Sequence, residues 1–250
     1  MSTYASFQGR VFLGKRDIDG LPIEVRLPGN VAELKLSLKT EVLEHYESQT
    51  GQRSLDHRMV KQKSATVNLT IEEFTKENLA LALYGNHVTG SSGSVTAETI
   101  GGNTPVVGDR YFFAHPKVAA VVVTDSAGSP ATLTAGTHYT VDTDFGALQF
   151  LDISGFTAPF KAAYTYGAAT EIGIFTQSVP ERYLRLEGIN TAQGNAKVLV
   201  ELYRVAFDPL KEISFISDEY NKFELEGSLL ADTTKPYDAL LGQFGRIVQL

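Results

Sequence analysis

Five histidines, His45, His57, His87, His115 and His138, are the first residues that could carry metal or proton chemistry. No two have metal-ligand spacing on a helix, and no His-Glu-x-x-His occurs. Each is read as an exposed loop or strand residue. Gly9 and Gly14-Lys15 have the spacing of a phosphate-binding loop, but Arg16 stands where a magnesium-binding Ser or Thr belongs, and no helical pattern follows. Asp17-Ile-Asp19-Gly20 hints at a calcium loop but lacks its downstream Glu. An Asp-Gly turn explains it at less cost. Asp142 and Asp144 could form a glycosidase pair, yet they flank a turn in which Asp serves as an acceptor. There is no Gly-x-Ser-x-Gly elbow. With no cysteine, thiolate metal sites, disulfides and cysteine nucleophiles are excluded. Asn68-Leu69-Thr70 is a glycosylation sequon lying within a strand pattern. No constellation supports an enzyme, and no cofactor or metal is expected.

Bulk properties narrow the classes further. The 250 residues are 43% hydrophobic and 20% charged, the balance of a soluble globular chain. No apolar run is long enough to span a membrane. The opening residues lack a basic region followed by an apolar stretch, so no signal peptide is expected, and synthesis inside a cell fits. A net charge of −7 argues against a grip on nucleic-acid phosphates.

The elements that would position functional side chains centre on residues 31–85. Leu34, Leu36 and Leu38 alternate with Glu33, Lys35, Ser37 and Lys39; Val67, Leu69 and Ile71 alternate with Thr66, Asn68 and Thr70. Period-two alternation puts one face of each strand on a core and the other in water. Glu41 to Ser64, between them, holds few large apolar side chains and is far longer than a tight hairpin needs. The spacing predicts a ribbon that continues both strands and turns near Thr50-Gly51-Gln52. It is either a loop folded back on its own domain or a polar arm that docks on another subunit. Its candidate contact residues are Glu44, Glu47, Gln49, Gln52, Arg53, Asp56, Arg58 and Lys61.

A short helix follows. Thr75 is a good N-cap, and Glu77 sits where the helix dipole favours an acid. Phe74 and Leu79 occupy hydrophobic-staple positions, and Gly85 can take the left-handed conformation past the C-terminus. Leu79 to Tyr84 is apolar all round, so this segment must be plugged into a core.

Composition shifts after Gly85. Residues 86–103, rich in Gly, Ser and Thr, read as a linker. Strand signals resume at Arg110–Phe113, Val118–Thr124, His138–Asp142, Gly146–Leu151 and Phe160–Tyr166, separated by Gly- and Asp-containing turns. They read as a small β-sandwich over 104–170. Further strand patterns occupy 171–175, 182–187, 196–207 and 220–230, with a hairpin turn at 190–195. Two strands and a helix in 31–85 need these later strands to complete a sandwich. The domain is therefore expected to be discontinuous, 1–85 with 171–250, with 104–170 inserted.

One further observation comes from a resemblance. A strand, a charged ribbon containing Gln-Thr-Gly-Gln-Arg (49–53), a second strand, then Glu-Glu-Phe-Thr-Lys-Glu-Asn-Leu-Ala-Leu-Ala-Leu-Tyr-Gly (72–85) resembles the major tail protein of tailed bacteriophages, the subunit of the tail tube. The C-terminal third, including Gly242-Gln-Phe-Gly-Arg-Ile247, is similar more loosely. The resemblance implies a mainly β fold: a tail-tube β-sandwich with one short packed helix and a long β-hairpin arm, plus an inserted immunoglobulin-like β-sandwich.

By the same resemblance the chain would form homo-oligomeric rings, usually hexameric, that stack into a tube for viral DNA in transit. It would meet the tape measure, terminator and distal tail proteins in the virion tail after synthesis in the host cytoplasm. The ribbon would reach a neighbouring subunit or ring. Glu187, Glu201, Glu224 and Glu226 are candidates for the lumen face, each of which could equally be an outer-face charge. The inserted module departs from the short tube subunits. An alternative is a carbohydrate- or host-surface-binding β-sandwich, for which Tyr164 and Tyr166 would be the exposed aromatics.

Overall fold

A computed structural model describes residues 4–237 and 240–250. In chain order the elements begin with β1 (Phe7–Arg16), β2 (Pro22–Arg26), β3 (Val31–Tyr46), β4 (Leu55–Ile71) and helix α1 (Lys76–Ala82). Then come β5 (His87–Thr89), β6 (Gly93–Ile100), β7 (Arg110–Phe112), β8 (Val118–Thr124), β9 (Tyr139–Asp142), β10 (Ala147–Phe150), β11 (Phe160–Tyr166) and β12 (Thr170–Ile172). The chain closes with β13 (Glu181–Asn190), β14 (Ala196–Phe207), β15 (Phe223–Leu229) and β16 (Gly245–Gln249). It divides into two compact units, Met1–His87 with Ile172–Leu250, and Val88–Glu171. The fold is mainly β. Among the described residues no helix is long and apolar enough to cross a membrane.

The first unit is built on one antiparallel sheet in the order β2-β1-β13-β14-β15-β4-β3, with β16 also on β14. β14 takes two partners along one side: Val198–Leu202 pair with β16, and Val205–Phe207 pair with β15. The sheet curls. Val11 and Leu13 of β1, near one end of the strand order, join Val67, Leu69 and Ile71 of β4, near the other, in one apolar cluster. Alternation drives this, because Val11 and Leu13 of β1, Val67, Leu69 and Ile71 of β4, and Phe223, Leu225 and Leu229 of β15 fall at every second position on one face, and full burial of such a side chain stabilises by about 1.5–3 kcal/mol.

Helix α1 plugs that cluster with Leu81 and Ala82. The Thr75 hydroxyl accepts the Asn78 amide at 3.2 Å, as its N-cap position requires. The Phe74 ring stacks on Phe223 of β15, with centroids 4.2 Å apart. Asn78 is fully buried and fully engaged: its amide group donates to Pro28 O and Glu73 O, and its oxygen accepts from Arg26.

The helix C-terminus differs from expectation. The left-handed residue is Tyr84 (φ 51), held there by its buried ring and a 2.5 Å hydrogen bond from its hydroxyl to Phe207 O. Gly85 serves close approach instead. A Cβ there would lie 1.9 Å from Gly173 O.

The second unit is two three-stranded antiparallel sheets, β7-β10-β9 and β6-β11-β8. Ile100, Val123, Leu148, Phe150, Phe160 and Ala162 are among the residues that fill its own core. All five strands anticipated over 104–170 are present within a residue or two of their limits. The linker expected at 86–103 is not one, since β6 lies within it and pairs along β11 from Phe160↔Ile100 to Tyr166↔Gly93. Its Ser, Thr and Gly residues sit on an exposed side, and only Ile100 is fully buried, so the alternation was faint. The unit therefore begins at Val88.

Candidate functional site

The ribbon is an arm. β3 and β4 stay paired from Val31↔Ile71 to Tyr46↔Leu55, with irregularities at Glu41/Val42 and His45/Tyr46. From Lys39 outward the strand runs eight residues, about 27 Å at ~3.4 Å each. Along that length every side chain is exposed except the partly covered Val42. The arm turns where expected. Glu47 N donates to Ser54 O at 2.9 Å, Gly51 takes φ +81, and Arg53 takes φ 52. The Glu47 carboxylate caps this turn by accepting from the Thr50 hydroxyl (2.5 Å) and the amides of Thr50 (2.9 Å) and Gln49 (2.8 Å). Those bonds, the Thr50 hydroxyl first, draw its pKa down to about 2.

The arm's other carboxylates are each engaged by a basic side chain across the ladder. Glu44 lies 3.7 Å from Arg58 and Glu41 lies 3.9 Å from Lys61. His45 Nδ1 meets Asp56 at 2.6 Å, and that hydrogen bond holds the Asp56 carboxyl below its ordinary range. Such exposed pairs add little stability, but they fix the two strands in register. Of the eight candidate contact residues, only Gln49, Gln52 and Arg53 at the tip keep side chains without a partner among the described residues. Of those three, Arg53 alone carries a charge.

The arm instead displays apolar pairs. Val42 faces Val60, Leu43 faces Met59, and Tyr46 faces Leu55. Leu43 is 56% exposed and Met59 48%. Water-facing apolar pairs on a projecting ribbon have no core of their own to fill. Residue-by-residue reading missed them because two bulges shift the register. Once β3 and β4 are aligned, these residues fall opposite one another.

The four glutamates considered for a lumen divide. Glu201 is buried (6% exposed), which corrects that expectation: its strand position faces outward, but a cluster of side chains covers it. It accepts from the Tyr183 hydroxyl (2.5 Å), from Arg185 (3.2 Å) and from Arg246. Burial works to raise the Glu201 carboxyl. The Tyr183 hydroxyl and the two guanidiniums outweigh it and hold the pKa below the usual range. Burial, then the bond to Glu201, pushes Tyr183 up to about 12. Glu187 is exposed and paired with Arg185 at 3.0 Å; Glu226 is paired with Lys211 at 2.5 Å. Glu224 is exposed and has no ion pair among the described residues. It lies in a polar cross-strand row with Thr70 and Glu33.

A second buried network was not anticipated. Arg204 grips Glu181 through two bonds (2.6 and 2.8 Å), and Arg16 reaches Asp232 at 2.7 Å and Glu181 at 3.8 Å. Its members come from β1, β13, β14 and the segment after β15, too far apart in sequence for spacing to reveal them. Asp17 is likewise explained structurally, since its carboxylate accepts the amides of Asp19 and Leu21 in a turn. Among the described residues no three His, Asp or Glu side chains are placed to hold a metal ion.

In the second unit, Tyr164 is buried in the core and Tyr166 is partly buried and stacked on His115 at 3.8 Å, so neither offers an open platform. The exposed aromatics there are Phe112 and Phe145.

Over residues 4–248 the chain matches the family described as Protein of unknown function UCP028589. It belongs to that family. No curated protein matches it. For this member of the family, the feature with the most to offer a partner is the arm.

Proposed function

We propose that the chain is a structural virion protein, the subunit of a bacteriophage tail tube, which self-assembles into stacked rings through which DNA passes. One observation carries this reading. An exposed arm of about 27 Å has its carboxylates engaged internally and its apolar pairs turned to water. A monomer gains nothing from holding such a ribbon in solvent, since an isolated two-stranded hairpin is marginal. A copy of the same chain that covers it does gain. The resemblance of residues 49–53 and 72–85 to tail-tube subunits names the assembly, in which rings are usually hexameric. A net charge of −7 suits a wall past which DNA slides unbound. The second unit reads as an immunoglobulin-like decoration on that tube.

Sedimentation of the purified chain tests this. Rings or longer polymers that grow with concentration are expected. A monomer at every concentration contradicts it. A second reading is favoured by Phe112 and Phe145, which are exposed near the Arg110–Asp142 pair (2.6 Å): the second unit binds a carbohydrate or host surface. A sugar-dependent melting shift in a strictly monomeric protein would support that reading instead.

A further inference from the structure

Two complementary surfaces stand at opposite ends of β14. At its start, β1, β13 and β14 frame a cleft of about 290 Å³. Arg10, Arg185 and Lys197 line it, with Glu187 the acidic side chain among them. Arg185 is engaged by Glu187 and Glu201, whereas Arg10 and Lys197 have no ion pair among the described residues. Ile189, Val198 and Leu199 give the cleft an apolar lining. It lies just under the ~300–1,000 Å³ of small-ligand pockets and suits one or two inserted side chains.

At the other end, past Phe207, a loop over residues 208–222 exposes Phe215, Tyr220 and Ile216, the last to 96%. Glu212, Asp218 and Glu219 on the same loop have no ion pair among the described residues. The hydrogen bond of Leu210 to Ala82 (2.8 Å) and the Lys211–Glu226 pair anchor the loop at this end. Ten residues of strand separate Lys197 from Phe207, roughly 33 Å. A loop tied there is remote from the cleft of its own chain.

We infer that the acidic, apolar loop 212–220 of one copy docks in the cationic cleft of a second copy. Phe215 or Ile216 fills the cleft, and Asp218 and Glu219 meet Arg10 and Lys197. Buried apolar anchors supply affinity, while the charges set register and suppress wrong pairings. The two surfaces differ, so the contact is head-to-tail. Repetition closes a ring if the rotation permits and otherwise runs on as a filament. This rests on the subunit reading and names the surfaces that join its copies.

The chain has no cysteine, so cross-linking is clean. Ile216→Cys and Lys197→Cys proteins, both altered at exposed sites, are mixed and oxidised. Covalent dimers should form in the mixture and not in either protein alone. Lys161→Cys, on the second unit, should give none with Ile216→Cys. Reversing Arg10 and Lys197 to Glu should raise the concentration for half-assembly about tenfold or more. Reversing Asp218 and Glu219 to Lys in that variant should restore it. Rings that form without the cross-link, or reversals that fail to compensate, overturn this contact and leave the subunit reading standing. A chain that never assembles overturns both.

Discussion

Leu43 and Met59 face each other across the arm, one on each strand, with about half of each side chain in water. Deeper along the same ladder, Val67, Leu69 and Ile71 of β4 are fully buried. Here the pair lies beyond the last residues that the core can cover, flanked by Val42 with Val60 and by the Glu44–Arg58 ion pair. The ribbon thus holds its own shape through charges and offers its apolar side chains outward.

Replacing both Leu43 and Met59 by Ser should leave the melting temperature nearly unchanged, because exposed positions away from the core shift stability by about 0.5 kcal/mol or less. Assembly, followed by light scattering, should weaken sharply. A large fall in melting temperature with intact assembly would show the pair to be part of the monomer's own stability.

Glu201 makes a pH-dependent contribution. Its folded pKa is below the ordinary glutamate value of 4.5. It therefore stabilises fully above that value, and the contribution is lost as pH falls through the folded pKa. Glu201→Gln leaves Arg246 without a carboxylate and Arg185 with Glu187 alone, and should cost about 3 kcal/mol at pH 7. Urea unfolding at pH 7 and at pH 3 should show the variant losing less on acidification than the wild type. Parallel losses would contradict the assignment.

Gly85→Ala should destabilise the first unit by about 1–3 kcal/mol, since the new methyl would meet Gly173 O, a backbone atom that cannot rotate away. Circular dichroism melts measure it. A neutral result would mean that the segment carrying Gly173 is free to shift.

The two units have separate apolar clusters. Phe150→Ala should cost about 3–5 kcal/mol and move only the calorimetric transition of Val88–Glu171. A single transition that moves as a whole would show the units to unfold as one.

Strong alternation made the fold legible. Val67, Leu69 and Ile71 declared β4, and Thr75 declared the start of α1. β6 escaped because Ser94, Thr96 and Thr99 carry no apolar signal, and strand pairing with Phe160 and Tyr166 is what forms it. The arm was legible in length and turn position, through Thr50-Gly51, but not in chemistry. Its charges looked available as a list of residues; only the register shows Glu44 beside Arg58 and His45 beside Asp56. Glu201 misled for a similar reason. Alternation places it on the outer face, whereas Tyr183 and Arg185 of β13 and Arg246 of β16 cover it.

Electron microscopy of the wild-type chain beside a variant with residues 40–63 replaced by a two-residue turn tests the central claim. The first unit keeps its β3–β4 pairs up to Lys39↔Ser64, so both proteins should fold. The wild type should form rings or tubes, and the variant only dispersed subunits. Tubes of unchanged appearance from the armless variant, or dispersed monomers from both, would contradict the account.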